Sequence, residues 1–355
     1  MTHENASQRY PAETLTAFAH ALLAKAGVRD DIARDVAEVL VDGDLLGHTT
    51  HGLALLAGYL RELEQGSMRK EGAPSVISAR PAAALWDGHR LPGPWLTLRA
   101  IDAAVAMAMT QGTGTVSIRR SHHIACLAAY LKRVTDRGFM LLLMCSDPAG
   151  ASVAPFGAVS PVFTPNPLAA GIPTSGDPIL LDVSASYTTN GLTQRLHARG
   201  EKLAHPFVQD ARGVPTTDPS VLFNEPKGTL LPLGGLEAGH KGYALALLIE
   251  ALTGGLAGFG RADPAEGWGA TVFVQVLDPE SFGGRDTFLR QTSWLADACH
   301  AATPRPGGPA VRLPGERGLR LMREQRETGV ELHASILPAL DAWAGKYGVP
   351  MPAPR

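Results

Sequence analysis

Residues 139–145 (Phe-Met-Leu-Leu-Leu-Met-Cys) form a continuous apolar run of strand length, starting directly after a helical pattern that Gly138 closes. Such a run reads as a strand buried on both faces, and the helix before it, over 124–137, reads as part of its cover. The alternation recurs along the chain. Pro11 opens a helical pattern with Leu15, Phe18, Leu22 and Leu23 and Gly27 ends it. Asp30 or Asp31 caps a second helix with an apolar stripe of Ile32, Val36, Val39 and Leu40, and a third runs through Tyr59 and Leu63 to Gly66. Short β-like runs fill 74–86, helical character returns over 98–109, and strands are expected at 114–118, 179–182 and 271–277. Helices are expected over 243–256, 286–300 and 316–343, the last returning to the N-terminal helices, with a Pro/Gly linker at 304–309. Helices alternating with buried strands define an α/β chain.

Composition narrows the partners. The chain has 355 residues, 45% hydrophobic and 19% charged, enough for a sizeable core. A formal net charge of −2 gives no electrostatic reason to expect nucleic acid or an anionic membrane, so a small-molecule substrate is the expected partner. Cys126, Cys145 and Cys299 lie far apart, with no C-x-x-C pairing, so neither a metal site nor a disulfide framework is expected. The start, Met1-Thr2-His3-Glu4-Asn5, lacks a basic flank and apolar run, and a cytoplasmic location is expected. The apolar stretch 242–260 carries Glu250 and reads as a buried helix and its exit, not a membrane span.

Three short stretches carry chemistry: Thr49-Thr50-His51-Gly52, Ser121-His122-His123 and Leu181-Asp182-Val183-Ser184. They supply imidazoles, hydroxyls and a carboxylate, the parts of an oriented proton donor that titrates near neutrality. The His51 motif stands at the start of the third helix, where free N–H groups favour an anion. A fourth stretch, Gly234-Gly235 with Gly239-His240-Lys241-Gly242, combines glycines that let backbone approach a phosphate, a helix start and a full positive charge. A G-x-G-x-x-G between strand and helix is absent, so pattern alone argues against a Rossmann dinucleotide site.

The ordered blocks 44–52, Ser121-His122-His123-Ile124, Ala154-Pro155-Phe156-Gly157, Asn166-Pro167-Leu168-Ala169, Leu181-Asp182, 213–219, 231–235 and Gly239-His240-Lys241-Gly242-Tyr243 resemble the second family of malate/lactate dehydrogenases. That family also holds ureidoglycolate, sulfolactate and hydroxycarboxylate dehydrogenases and piperideine-2-carboxylate reductases. The resemblance implies a non-Rossmann, sulfolactate dehydrogenase-like fold that binds NADH or NADPH, and a homodimer. It implies a helical substrate and dimer part, 1–75 with 313–355, and a cofactor-binding part, 76–312. By the same carry-over His51 is the proton donor and acceptor, supported by Thr50 and Asp182. His123, Ser146, Asn166, Pro167, Asp182, Val183, Ser184, His240, Lys241 and Gly242 line the cofactor, and His48, Leu55 and His122 face the substrate. A relay from Asp182 through Thr50 to His51 is one reading of the trio.

The chain departs from the family pattern at several points. Thr50 stands where relatives carry serine, keeping the hydroxyl on a stiffer side chain. Leu55 replaces an arginine that grips the substrate carboxylate in many relatives, and Leu192 replaces a lysine. Thr164-Pro165-Asn166-Pro167 replaces Gly-Thr-Asn-Pro, and Leu203-Ala204-His205-Pro206 lacks the usual Pro-Glu-Gly turn. Either another group anchors the anion, or a larger, less acidic substrate meets Leu53, Leu55 and Leu56. Three readings follow: a 2-oxo acid reductase, a reductase of cyclic or N-alkyl imino acids, or an inactive scaffold.

Overall fold

The computed structural model describes residues 8–264 and 266–355; the Met1–Asn5 stretch, read above for its lack of a basic flank and apolar run, lies outside them. After the two-residue strand β1 (Arg9–Tyr10), Pro11 caps helix α1 (Ala12–Lys25), whose Leu15, Phe18, Leu22 and Leu23 are buried as their spacing predicts. Helix α2 (Asp30–Leu45) has Arg29, not an aspartate, at its N-cap. Asp30 and Asp31 fall in the first turn, where their charge favours the positive end of the helix dipole. A single 3-10 turn (Leu53–Leu55) leads into α3 (Leu56–Gln65), which Gly66 ends at φ 76°. The backbone N–H of Leu53 in that turn donates to the buried Asp44 carboxyl at 2.7 Å, so the acceptor at this helix start is the protein's own.

The hairpin β2 (Ser75–Arg80) and β3 (Ala83–Asp87) precedes α4 (Gly93–Gln111), which starts five residues before the expected bound because Pro92 and Pro94 suit a helix start. Strand β4 (Thr113–Ser121) follows, and helix α5 (Ala128–Thr135) begins later than expected, after Ala125 at φ 60° interrupts the pattern. Then come β5 (Met140–Ser146), β6 (Pro167–Ile172), β7 (Ile179–Ser184) and α6 (Asn190–Ala198). Three short strands, β8 (Val208–Gln209), β9 (Pro215–Thr216) and β10 (Thr229–Leu230), form a small separate sheet. Helix α7 (Gly235–Ala238) leads to α8 (His240–Glu250), which passes into one π turn, Ala251–Gly255. Strand β11 (Ala270–Leu277) and helix α9 (Arg285–Ala301) complete the central part. The expected single helix over 316–343 is two, α10 (Glu316–Thr328) and α11 (Ile336–Tyr347), separated by β12 (Val330–Glu331). Gly329, at φ 93°, makes that break and leaves room for Arg9 and Tyr10 of β1, the strand with which β12 pairs.

The seven-stranded sheet runs β2-β3-β4-β11-β5-β6-β7, with β3 and β4 parallel and the other neighbours antiparallel. It is α/β without the βαβ phosphate loop of a Rossmann fold, which is why no G-x-G-x-x-G was needed. Alternate residues of the inner strands serve two cores. Val272, Val274, Val276, Leu141 and Leu143 pack under α4, α2 and α5 in a core that continues through α1, α3, α10 and α11. Phe273 and Met144 point the other way, to Ala246 and Ile249 of α8 with Val208 and Leu230. Among the described residues no helix is long and apolar enough to cross a membrane.

Candidate active site

Pairing registers bring the chemistry to one end of the sheet. Ser121, ending β4, stands across from Ala270, and Ser146, ending β5, across from Thr271, both at the start of β11. Pro167, opening β6, pairs with Ser184, which ends β7. His122, His123, Asn166, Asp182, Val183 and Ser184 therefore gather at that end from residues far apart in sequence.

The loop between α2 and the 3-10 turn adds His51. Its Nδ1 lies 2.9 Å from the Thr50 hydroxyl, and its ring lies 6.0 Å from that of His123, 28° from parallel. Tyr59, in the first turn of α3, places its hydroxyl 2.9 Å from Nδ1 of His123 and 3.1 Å from the carbonyl of the same residue. Trp268 covers both other imidazoles, at 4.8 Å from His123 and 5.1 Å from His122. Burial holds all three histidines neutral. His51 is lowered to about 4 by burial and then by the neighbouring His48 and Arg195. Burial, with His51 and His122 beside it, holds His123 well below the usual imidazole range. His122 is lowered to about 4 by burial, against the pull of Glu62 at 3.4 Å. A neutral imidazole with one nitrogen held by a hydroxyl is poised to accept a proton at the other.

Two carboxylates flank this loop. Asp44 is 1% exposed, accepts from the Leu53 N–H and has no partner on Oδ1; burial raises its pKa to about 7. Gly52 is glycine because of it, since a Cβ there would lie 2.3 Å from the Asp44 carboxyl carbon. Asp182 accepts the Ala128 N–H at 2.9 Å and lies 3.9 Å from the Cys126 sulfur; burial raises its pKa, and the neighbouring His48 opposes that. Among the described residues no hydrogen bond joins Asp182 to Thr50, so the relay from Asp182 through Thr50 to His51 is not formed. Arg195 of α6 takes a place the sequence did not suggest. Its guanidinium donates to the Thr49 hydroxyl at 2.9 Å and the Thr49 carbonyl at 2.6 Å, fixing the loop.

The remaining expected residues divide. Ser146 is buried, its hydroxyl 2.8 Å from Thr253 in the π turn and 2.9 Å from Thr271. Asn166, at φ 46°, is buried with its amide nitrogen donating to Glu250 and its amide oxygen accepting from Thr164. Both side chains are hydrogen-bonded inside the protein. Val183, His240 and Lys241 are exposed, and Ser184 donates to the Ser186 carbonyl. The start of α8 lies by the end of β7, where Leu233 N–H donates to the Ala185 carbonyl. The glycines there serve the chain itself: a Cβ on Gly239 would lie 2.1 Å from the Gly235 carbonyl, and one on Gly242 2.3 Å from the Leu233 nitrogen. The close approach those glycines allow is therefore, at these two positions, one between segments of the chain itself. Leu53 and Leu56 are buried in the main core, whereas Leu55 packs on it half-buried and keeps part of its apolar surface free.

Sequence reasoning missed Tyr59, Trp268, Asp44 and Arg195. Tyr59 carried a weaker signal, since it lies in the helix that follows the histidine motif directly. Trp268 and Arg195 reach the site only through tertiary structure.

Comparisons with known proteins fit this geometry. Residues 10–341 match the family described as malate/L-lactate dehydrogenase. The L-lactate dehydrogenase of Cupriavidus necator is 31% identical over 342 residues, covering 94% of this chain and 97% of that one. The Delta(1)-pyrroline-2-carboxylate reductase of Ancylobacter novellus is 28% identical over 330 residues, covering 90% and 93%. The solved malate dehydrogenase of Pyrococcus horikoshii OT3 superposes with a TM-score of 0.88 at 26% identity, covering 99% of both chains. Sheet, site and relatives together define an oxidoreductase of the dehydrogenase class, in the fold also seen in sulfolactate dehydrogenase. The chain belongs to the malate/L-lactate dehydrogenase family.

Proposed function

We propose that this protein interconverts a 2-oxo acid and a 2-hydroxy acid with NADH or NADPH, His51 carrying the proton. The observation that carries the reading is the His51 imidazole: neutral, half-buried, held at Nδ1 by Thr50, and set against His123 at the end of the sheet. In oxidation the free nitrogen takes the hydroxyl proton of the substrate; in reduction the protonated ring returns it to the developing alkoxide. Tyr59 and Trp268 hold His123 beside it and exclude water from that side. Arg195 fixes the loop at Thr49.

A nicotinamide cofactor, when bound, supplies or takes the hydride. The residues present fit one: Lys241 is exposed and has no ion-pair partner among the described residues, and it lies by the strand end that bears Val183 and Ser184. We assign 76–312 to that cofactor and 1–75 with 313–355 to substrate and dimer contacts. The homodimer is supported by Leu247, Leu248 and Leu256, which α8 and its extension leave about half exposed. The widely spaced thiols fit a cytoplasmic location.

The pyrroline-2-carboxylate reductase among the relatives favours a second reading, reduction of a cyclic or N-alkyl imino acid by the same proton carrier. Cofactor oxidation with a panel of 2-oxo acids, with and without methylamine, separates the two. Fluorescence titration with NADH and NADPH tests the shared premise, and no response to either leaves an inactive scaffold. His51→Ala should cut turnover by about 10²- to 10⁴-fold while cofactor affinity stays within a few-fold; unchanged turnover refutes the role of His51.

A further inference from the structure

We propose that His48, Cys126 and Asp182 form a site for one zinc-class divalent cation, opening on the cleft beside the His51 loop. The three come from separate segments: the loop after α2, the loop before α5, and the edge strand β7. One imidazole nitrogen, the Cys126 sulfur and a carboxylate oxygen all lie within 4.8 Å of one another. No pattern of sequence spacing marks the trio, which the fold alone assembles.

The donor set selects the ion. A thiolate with an imidazole suits zinc and its neighbours and poorly matches magnesium and calcium, which take oxygen ligands. Bond lengths of about 2.0–2.3 Å give a tetrahedron with edges of about 3.5 Å, so the ligands close in by about an ångström around an ion. His48 and Asp182 are half-buried at the wall of a cleft of about 620 Å³, with room to turn and space for a fourth ligand from solvent. An independent feature points the same way. Asp44, 1% exposed, lines the same cleft, and its Oδ1 has no partner in the protein. A buried carboxylate oxygen without a donor is costly, and water on a bound cation is a donor of the right kind. An ion held there ties the loop bearing His51 to β7 at the sheet end.

The test uses the full chain, stripped with a chelator, kept reduced and titrated with Co²⁺. The expected result is one equivalent bound with a thiolate-to-cobalt charge-transfer band. That band disappears in Cys126→Ser and persists in the Cys145→Ser/Cys299→Ser double variant. A wild-type spectrum without a sulfur band, or a band that survives in Cys126→Ser, overturns the proposal. If Cys126→Ser does not fold, zinc-edge X-ray absorption of the zinc-loaded double variant decides. One sulfur at about 2.3 Å supports the site, and a shell of nitrogen and oxygen alone overturns it. Both measurements read the ligands of the ion and not turnover, so they stand apart from the catalytic reading.

Discussion

Gly52→Ala tests the account of the histidine loop most sharply. The added Cβ would fall 2.3 Å from the Asp44 carboxyl carbon and 2.4 Å from each of its oxygens. Ordinary carbon contacts lie at about 3.5–4.0 Å, so the carboxyl must leave rather than yield slightly. Leaving removes the acceptor of the Leu53 N–H, a bond of 2.7 Å in a buried place. An orphaned buried donor costs about 1–3 kcal/mol, and forcing an extra carbon into packed surroundings about 1–3 kcal/mol more. The expected loss is therefore about 2–6 kcal/mol, a large part of the stability of a protein. Asp44→Ala supplies the control, because truncating the carboxyl clears the space. In that background the second change should cost about 1 kcal/mol or less, giving a coupling of about 1 kcal/mol or more. Urea denaturation followed by tryptophan fluorescence measures all four corners of the cycle. Additive effects would refute the claim that Gly52 is glycine because of Asp44.

Other outcomes follow from the buried groups. Asp44 has a folded pKa of about 7 against about 4 unfolded, so its contribution to stability falls as pH rises across that window; Asp44→Asn should remove this component and gain most above pH 7. His122 slopes the opposite way: lowered to about 4, it costs stability as pH falls below about 6.5, so His122→Gln should lose less stability than the wild type between pH 6.5 and 4 in thermal melts. For hydroxy-acid oxidation, the acid limb of kcat/KM should lie near 4, and a limb near 6.5 would contradict the burial of His51 in the free enzyme. Arg195→Met removes a cation that lowers His51, so the limb should move to higher pH while far-ultraviolet dichroism stays unchanged.

The sequence disclosed those parts of the fold that depend on local periodicity and on sharp backbone signals. The stripes of α1 and α2 and the end of α3 at Gly66 are all read one turn at a time, and each is found close to where it was expected. The break at Gly329 was missed because its cause is non-local: a glycine inside a helical pattern is tolerated until a strand from the other end of the chain, β1, needs that space. The direction of strand pairing was equally hidden, since buried strands look alike in parallel and antiparallel neighbours.

The site shows the same division between local and non-local signals. His51, Thr50 and His123 were legible because imidazole and hydroxyl side by side have a chemical meaning at any location. The glycines of 234–242 are ambiguous in sequence because a glycine records only that something comes close, not what; at Gly234, Gly239 and Gly242 the chain's own carbonyls and amides come close. Asp44 reverses the lesson. It stood in full view at the head of the histidine block, yet its significance required knowing that it is buried, that it meets the Leu53 N–H, and that it faces the backbone of Gly52. A carboxylate so placed turns the Thr-Thr-His-Gly motif from four residues in a row into a structural unit, with the imidazole, the glycine and the helix start all positioned around one buried acid.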